Sequence, residues 1–258
     1  MDINGTTVSN SIYGGGNEGN VTGATRVMID NSTIANNVFG GGTAANVGSA
    51  TVIFQNESTA NYIYGGGDQG EVTNNTSVTI NNSTVNTNVS CGGNGNTTIS
   101  GTTIPGKVGG NTTLIINNGS VVSGSSFGGG RGITANVHGN TSVTLTNSSI
   151  GEDIYGGGDN GSVTGGTEVI ITNGEITGSA YAAGNGENAV VEGGTHIVAQ
   201  GTTNIGKSLF GGGNAAATGI EWGTVTSIVD IAGATIGENV YGGANSSVIY
   251  GNTVVNVG

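Results

Sequence analysis

The sequence predicts an all-β fold, a parallel β-helix or β-solenoid of about nine coils of ~26 residues with three short strands per coil. Three observations predict this fold: a repeated aromatic–glycine motif, a repeated segment of alternating apolar residues, and a high glycine content. Glycine accounts for 54 of 258 residues, while hydrophobic residues still make up 34%. Because those hydrophobic residues are spread along the chain, we interpret the glycine as serving turns and close backbone contacts, not a disordered linker.

The aromatic motif is a ring followed by small residues, and it recurs about every 26 residues. Ser90 and Cys91 occupy the slot in the one repeat that lacks a ring. The rings, which we call the aromatic column, are Tyr13, Phe39, Tyr64, Phe127, Tyr155, Tyr181, Phe210 and Tyr241. Since the slots cover the chain from end to end, we predict a single solenoid domain over residues 1–258.

Upstream of each ring slot, apolar residues alternate with others, as in Val27-x-Ile29-x-Asn31. Alternation with a period of two indicates strands and not helices. Three strands per repeat, separated by Gly and Asn turns, would form one coil, and stacking would bury the inner faces of neighbouring coils. With coils about 4.8 Å apart, nine coils make a rod roughly 43 Å long.

The alternating segment ends on asparagine in six repeats. Equivalent asparagines that stack at an inward turn could satisfy one another's amides, so we predict an asparagine ladder there. Asparagine is also an ordinary turn residue, but six in register favour the ladder. The predicted ladder residues are Asn31, Asn56, Asn82, Asn118, Asn147 and Asn173.

The aromatic column admits two interpretations. Rings that face outward would form a track on which sugar rings or another rod could stack. Rings that face inward would stack inside the molecule, with the glycines making room for them. The residue before each ring is usually apolar as well, so alternation alone leaves both interpretations open.

Charge and apolar patterning exclude several classes of partner. Sixteen acidic and four basic residues give a net charge of -12, so we expect no nucleic-acid binding. No apolar run approaches the ~18 residues of a membrane span, so we expect no membrane insertion. The first residues show no leader pattern, so we expect no export signal in this chain, and lone Cys91 predicts no internal disulfide.

Registering the predicted coils places Ser142, Glu168 and His196 in one column. These residue types could form a catalytic triad, but the glutamate lies in the middle, whereas the base should lie between nucleophile and acid. Adjacent Glu152 and Asp153 point to opposite faces of a strand and make a poor glycosidase pair. We therefore predict no catalytic site, no enzyme activity and no cofactor.

Two aspartates follow glycine triplets in a pattern that resembles a calcium-binding nonapeptide repeat. They are Asp68 and Asp159. The repeat here is about 26 residues and not nine, and the aspartate falls in a different slot of the motif. We therefore predict no metal site and keep the two aspartates only as weak calcium candidates.

Aligned threonines raise the question of ice binding, which favours regular outward threonines on a flat solenoid face. The aligned residues are Thr25, Thr76, Thr112, Thr141, Thr167, Thr195 and Thr253. They share their parity with the inward Val and Ile residues, so we predict that they point inward. Ice binding is therefore the less favoured alternative.

Extra residues enter the repeat at one turn only, in the stretches 94–110, 131–136, 185–189 and 214–223. They contain Lys107, Arg131 and Trp222, which we predict as a loop binding site because solenoids place binding loops along one edge. Drift in the length of tolerated loops explains the same insertions equally well.

The repeat Val-x-Ile-x-Asn-x-x-Ile followed by Tyr-Gly-Gly-Gly resembles the Gly/Asn/Thr-rich repeats of microbial surface adhesins. The resemblance covers the whole chain. It implies a right-handed parallel β-helix within a secreted or wall-attached protein, and therefore an extracellular or cell-surface location. Since the likeness is one of repeat type, it implies architecture and context more than a ligand.

Neither end of the sequence shows a helical or amphipathic cap, so we expect open stacking faces at both ends. The chain is then either an excerpt of a longer array or a protomer that stacks into fibres. The predicted function is a structural or adhesive solenoid segment, with self-association or surface glycans as partners. The alternative is a carbohydrate-binding or carbohydrate-active β-helix.

Overall fold

A computed structural model describes residues 1–95 and 105–258. These residues form 28 strands, which we number in chain order, and no helix. Strands of consecutive coils pair in parallel, and they build three sheets of ten, nine and nine strands. The predicted parallel β-solenoid is therefore confirmed, with nine complete coils and a tenth strand in the first sheet.

Sheet A contains the longest strands and begins each coil. Its strands, in the order in which they pair, are β1 (Asp2–Asn4), β4 (Val21–Asp30), β7 (Val47–Gln55), β10 (Thr76–Asn81), β13 (Thr112–Asn117), β16 (Thr141–Thr146), β19 (Thr167–Thr172), β22 (Thr195–Gln200), β25 (Val225–Ala232) and β28 (Gly251–Val257). Buried and partly exposed residues alternate along most of these strands, as period-two patterning requires.

Sheet B follows after one tight turn and contributes two residues per coil. Its strands are β2 (Thr7–Val8), β5 (Thr33–Ile34), β8 (Thr59–Ala60), β11 (Thr84–Val85), β14 (Val121–Val122), β17 (Ser149–Ile150), β20 (Glu175–Ile176), β23 (Asn204–Ile205) and β26 (Thr235–Ile236). The second residue of each strand is apolar and faces inward, and in most coils it stands three residues after the turn Asn or Gly, as the repeat motif predicts. In β8, β14 and β23 the turn holds one more residue, so the inward residues there are Ala60, Val122 and Ile205.

Sheet C carries the aromatic column and leads into the glycines. Its strands are β3 (Ile12–Tyr13), β6 (Asn37–Phe39), β9 (Tyr62–Tyr64), β12 (Val89–Ser90), β15 (Ser126–Phe127), β18 (Ile154–Tyr155), β21 (Ala180–Tyr181), β24 (Leu209–Phe210) and β27 (Val240–Tyr241). After sheet C, single bridges between consecutive coils continue the stacking through the glycine-rich turn and back to sheet A.

The main core is formed by the inner columns of all three sheets. In sheet A it contains pairs such as Val143 and Leu145, in sheet B Ile150, and in sheet C Ile154, all fully buried. A second, smaller core lies behind the glycine-rich turn, where Val137 and Val163 stack. No coil could bury these residues alone, so the stability of each coil depends on its neighbours.

The aligned threonines at the start of the sheet A strands point inward, as predicted. Thr141 is buried, and its Oγ1 donates a hydrogen bond of 2.5 Å to the carbonyl of Gly156. Thr76 and Thr112 make the same bond, at 2.6 Å, to the carbonyls of Cys91 and Gly128. This bond joins the beginning of sheet A to the residue that follows each ring slot, and it closes the coil.

The glycine triplets are explained by close backbone contact between coils. A Cβ at Gly128 would lie 2.2 Å from the carbonyl oxygen of Gly156 and 2.9 Å from Val143 Cγ2. A Cβ at Gly157 would lie 2.8 Å from the backbone nitrogen of Gly184. Any larger side chain would push adjacent coils apart, so the glycine content reflects stacking and not flexibility.

Candidate functional site

The six predicted ladder asparagines lie on an exposed turn, so the prediction of an inward ladder is wrong. Each has a positive φ, between 45° at Asn31 and 56° at Asn56, a conformation that asparagine tolerates better than most residues. Among them, Asn173 Nδ2 donates to Asn147 Oδ1 at 3.2 Å. Asn118 Nδ2 donates instead to Asn81 Oδ1 at 2.9 Å. The asparagines are therefore selected mainly for their turn geometry.

The buried polar ladder at this turn is made by hydroxyl groups that follow the asparagines. The Oγ of Ser58 accepts a hydrogen bond from the backbone N–H of Ser32, and the Oγ of Ser83 accepts one from Ser58. Ser120 and Ser148 continue the series. Sequence reasoning missed this ladder, although the recurrent Asn-Ser pairs in the printed sequence could have shown it.

The two calcium candidates belong to a second polar ladder, on the turn after the glycines. Asp68 Oδ1 accepts a hydrogen bond of 2.8 Å from Asn94 Nδ2. Asp159 Oδ1 accepts one of 3.1 Å from Asn185 Nδ2, and Asp159 Oδ2 lies 3.9 Å from Arg131 Nε. The two carboxylates are three coils apart, about 14 Å, so they cannot share one ion. Within residues 1–95 and 105–258, no group of three His, Cys, Asp or Glu side chains could hold a metal.

The aromatic column is buried, so the interpretation as an exposed track is wrong for its interior rings. Phe39 and Tyr155 are 1% and 2% exposed. Neighbouring rings stack in parallel, with centroids 4.8 Å apart for Tyr155 and Tyr181 and an interplanar angle of 4°. Both faces of Tyr155 are therefore covered by rings of the adjacent coils, Phe127 on one side and Tyr181 on the other. Only Tyr241 in the last coil is exposed, by 44%.

The aromatic column is interrupted at Ser90, and Tyr62 repairs the interruption. The Tyr62 ring stacks on Tyr64 with centroids 4.1 Å apart, on the side away from Phe39. Its hydroxyl lies 2.9 Å from Ser90 Oγ in the next coil. Burial raises the pKa of Tyr62, and the nearby Tyr64 raises it further. Sequence reasoning missed Tyr62, which stands two residues before a regular ring and outside the repeat pattern.

The three residues of the predicted loop site do not come together. Lys107 pairs with Glu71 at 3.1 Å, and Arg131 lies beside Asp159. Trp222 lies about four coils further along the rod, roughly 19 Å from the coil of Lys107. Trp222 is 79% exposed and contacts the edge of Tyr250, with centroids 5.4 Å apart. Part of the predicted stretch, residues 96–104, lies outside the described residues.

The column of Ser142, Glu168 and His196 exists as predicted, in pairing register on the outer face of sheet A. Glu168 lies between the other two, so Ser142 and His196 are two coils apart, about 9.6 Å. His196 contacts carboxylates on both sides. Its Nδ1 lies 3.6 Å from Glu168 Oε1, and its Nε2 lies 2.8 Å from Asp230 Oδ2. The arrangement is a carboxylate–imidazole–carboxylate ladder and not a triad.

A shallow groove of about 430 Å³ runs beside this column across four coils, and we call it the sheet A groove. It follows the starts of β16, β19, β22 and β25. The residues that line it include Gly166, Gly194, Ser142, Glu168, His196, Thr226 and Ile228. These residues make the groove a candidate ligand site on the described surface.

The two ends of the rod are apolar, and their columns correspond. Val8 in the first coil and Ile236 in the last occupy the same column of sheet B. Tyr13 and Tyr241 are the two ends of the aromatic column. At the first end, a cavity of about 520 Å³ is lined by Ile3, Val8, Tyr13 and their neighbours. Each end therefore presents the same pattern of side chains that neighbouring coils use to stack.

The comparisons with known proteins give no match: no family model, no curated protein and no solved structure corresponds to the chain. In the described part of the chain, no helix has the length and apolar character needed to cross a bilayer. The functional argument therefore depends on the geometry of the solenoid itself.

Proposed function

We propose that this chain is a structural rod segment whose protomers associate end to end, within an extracellular or cell-surface protein. The observation that carries the proposal is the correspondence of the two end faces. Their columns are continuous with the core, and in the isolated rod the edge strands β1 and β28 have free hydrogen-bonding groups. A second copy placed head to tail would continue the three sheets and the core, in the way that each coil continues the one before it.

Exposure of large apolar residues supports this association. Val240, Tyr241 and Val255 of the last coils are 37%, 44% and 43% exposed, although their equivalents in interior coils are buried. Head-to-tail contacts of this kind are heterologous, so they generate open filaments when no rotation closes them. We therefore propose that each end face binds a second copy of this chain.

The adhesive and surface aspects of the proposal are supported by the resemblance of the repeat to microbial surface adhesins. The rod also presents few reactive groups, since the charged residues make up 8% of the chain. Antibodies raised against the purified chain should label intact cells that make it. Labelling that requires permeabilised cells would contradict a surface location.

Sedimentation velocity over a range of protein concentrations tests the association. We expect the wild-type chain to form oligomers whose mass grows with concentration. Val255→Lys places a charge in the apolar end face and should leave a monomer. Val121→Lys is the matched control, because Val121 is 39% exposed but lies in the middle of the rod. A wild-type chain that stays monomeric at all concentrations overturns the proposal.

A further inference from the structure

Two consecutive coils break a regular pattern at the start of sheet A. In three earlier coils an asparagine precedes the strand, and its Oδ1 accepts a backbone N–H from the next coil at 2.8 Å. The N–H of Asn111 donates to Asn75 Oδ1, the N–H of Asn140 donates to Asn111 Oδ1, and the N–H of Gly166 donates to Asn140 Oδ1. The next two positions of this column are Gly166 and Gly194. The side chains that would fill the surface are therefore missing there.

The same two coils depart from the pattern in a second column. The neighbouring outward positions carry Thr113 and Ser142 in the preceding coils, but Glu168 and His196 in these two, before Ile228 follows. Ionisable groups thus appear where the surface has been opened by glycine. Departures from local regularity in a repeat protein concentrate at functional sites, and here two independent departures coincide.

We propose that the sheet A groove binds a neutral oligosaccharide through Glu168 and His196. Its volume of about 430 Å³ falls in the range of small-molecule sites, roughly 300–1,000 Å³. The inference rests on the adhesive part of the proposed function, and it is independent of end-to-end association.

The Glu168 carboxylate has free capacity to accept hydrogen bonds. Its side chain is 48% exposed, and within the described residues its one polar contact is His196 Nδ1 at 3.6 Å, which exceeds hydrogen-bond distance. Ser142 and Thr226 add hydroxyl groups along the same groove, while Ile228 adds an apolar surface. Polar groups of this kind bind sugar hydroxyls, and apolar surfaces bind the C–H faces of the rings.

His196 is held in a fixed position by the coil beyond it. Its Nε2 lies 2.8 Å from Asp230 Oδ2, and Asp230 Oδ1 accepts a hydrogen bond of 2.7 Å from Asn256 Nδ2. These contacts lower the pKa of Asp230, with the Asn256 amide as the largest cause and His196 as the next. The imidazole therefore meets a ligand in a preorganised orientation.

The charge of the site determines which sugars it accepts. Glu168 and Asp230 flank His196, and the whole chain carries a net charge of -12. Uronic acids and sulfated sugars would be repelled by these carboxylates, so the fitting ligand is uncharged.

Trp222 lies on the turn that leads into β25, outside the residues that line the groove. It stands four residues before Thr226, which lines the groove. The indole is 79% exposed and is held against Tyr250 at an interplanar angle of 83°. An exposed, oriented indole is a stacking surface for a sugar ring that extends out of the groove.

Titration calorimetry with neutral hexose and N-acetylhexosamine tetrasaccharides, beside a uronate tetrasaccharide, tests the proposal. We expect the wild-type chain to bind a neutral tetrasaccharide and to bind the uronate much more weakly. Glu168→Gln should weaken binding about tenfold or more, because a charged hydrogen bond is lost. Trp222→Ala should also weaken it. Glu175→Gln, an exposed carboxylate of the same coil on sheet B, is the matched control and should bind as the wild type does.

A second variant closes the groove without touching the ionisable groups. Gly194→Asn places there the residue found at Asn140 in the same column. A Cβ at position 194 would lie 2.8 Å from the carbonyl oxygen of Thr226, so the groove wall must shift to admit it, and binding should be lost. Melting temperatures verify that each variant folds. The proposal is overturned if the wild type binds neither neutral tetrasaccharide, or if it prefers the uronate. It is also overturned if Glu168→Gln and Trp222→Ala bind as tightly as the wild type. If glycan binding fails while sedimentation still shows oligomers, only this inference falls.

Discussion

The Tyr62 hydroxyl lies 2.9 Å from Ser90 Oγ of the next coil, and the Tyr62 ring fills the place where the aromatic column lacks a ring. Ser90 pairs with Tyr64 on one side and with Phe127 on the other. The gap is therefore filled by a ring from the neighbouring coil, which shows that the aromatic column is a packing requirement of the rod and not a surface for ligands.

Truncation of Tyr62 should destabilise the rod strongly. The residue is 8% exposed, so we expect Tyr62→Ala to lower the free energy of unfolding by about 3–5 kcal/mol through the cavity it leaves. Tyr62→Phe keeps the ring and should cost about 1 kcal/mol for the hydrogen bond to Ser90. Urea denaturation measures both values, and equal losses for the two variants would contradict the packing role of the ring.

A regular ring at position 90 should become acceptable when Tyr62 is removed. Ser90→Tyr alone should destabilise the rod because two rings then compete for one space. Tyr62→Asn places at position 62 the residue found at the equivalent position of the preceding coil, Asn37. In this background Ser90→Tyr should reduce the stability of the rod by less. A double-mutant cycle measures this coupling, which we expect to exceed about 0.5 kcal/mol. Additive effects would show that Tyr62 does not occupy the vacant slot.

The inward threonines should contribute to stability, whereas outward threonines of the same strand should not. Thr141→Val removes the hydrogen bond to the Gly156 carbonyl and should cost about 1–3 kcal/mol. Thr144→Val is the matched control, because Thr144 lies on the outer face of the same strand β16. Chemical denaturation of both variants checks the difference, and a loss at position 144 as large as at 141 would contradict it.

The fold could be predicted because the repeat constrains every coil in the same way. The alternation at Val143 and Leu145, the inward parity of Thr141 and the period of the aromatic column all follow from stacking, and the structure has each of them. Whether the asparagines at the turn after sheet A face the core or the solvent could not be predicted. Positive φ and solvent exposure at Asn147 depend on the turn geometry, and the same residue type would also suit a buried ladder.

The exposed turn asparagines should tolerate glycine better than alanine. Asn82 has a φ of 48°, and equivalent positions in later coils are Gly201 and Gly233, also with positive φ. Asn82→Gly should therefore change the free energy of unfolding by less than about 0.5 kcal/mol, and Asn82→Ala should cost about 1 kcal/mol. Thermal denaturation measures both. Equal losses would point to the amide and not the backbone conformation.

The rod should lose stability at alkaline pH. Burial raises the pKa values of Tyr62, Tyr64, Tyr155 and Tyr181 above the ordinary tyrosine value of 10.0. Burial likewise raises the pKa of Cys91 to about 12. Since the unfolded chain then releases its protons at lower pH than the folded chain, this stability is complete below the ordinary values and is lost progressively as the pH rises from them toward the raised values.

Urea titrations between about pH 8 and pH 11 measure this dependence. Tyr155→Phe is the test variant, because phenylalanine occupies the neighbouring position 127 of the same column. It should make the decline in stability with pH shallower than in the wild type. A free energy of unfolding that stays constant to about pH 11 would contradict the burial of the tyrosine hydroxyls.

The candidate site was only partly predictable. The column of Ser142, Glu168 and His196 followed from counting residues, but the groove beside it depends on two glycines in a chain rich in glycine. Gly166 and Gly194 stand out only when their column is aligned with Asn111 and Asn140 in space. Of the three residues predicted as a loop site, Trp222 is exposed and lies far along the rod from the other two, whereas Lys107 and Arg131 are held in ion pairs of the turn.

Electron microscopy of the purified chain at increasing concentration tests the end-to-end association most directly. One protomer should appear as a rod roughly 43 Å long, and association should lengthen the rods in steps of about that length at constant width. Val255→Lys should leave single short rods, while Val121→Lys should lengthen as the wild type does. Rods that never lengthen, or that thicken by side-to-side association, would contradict the account.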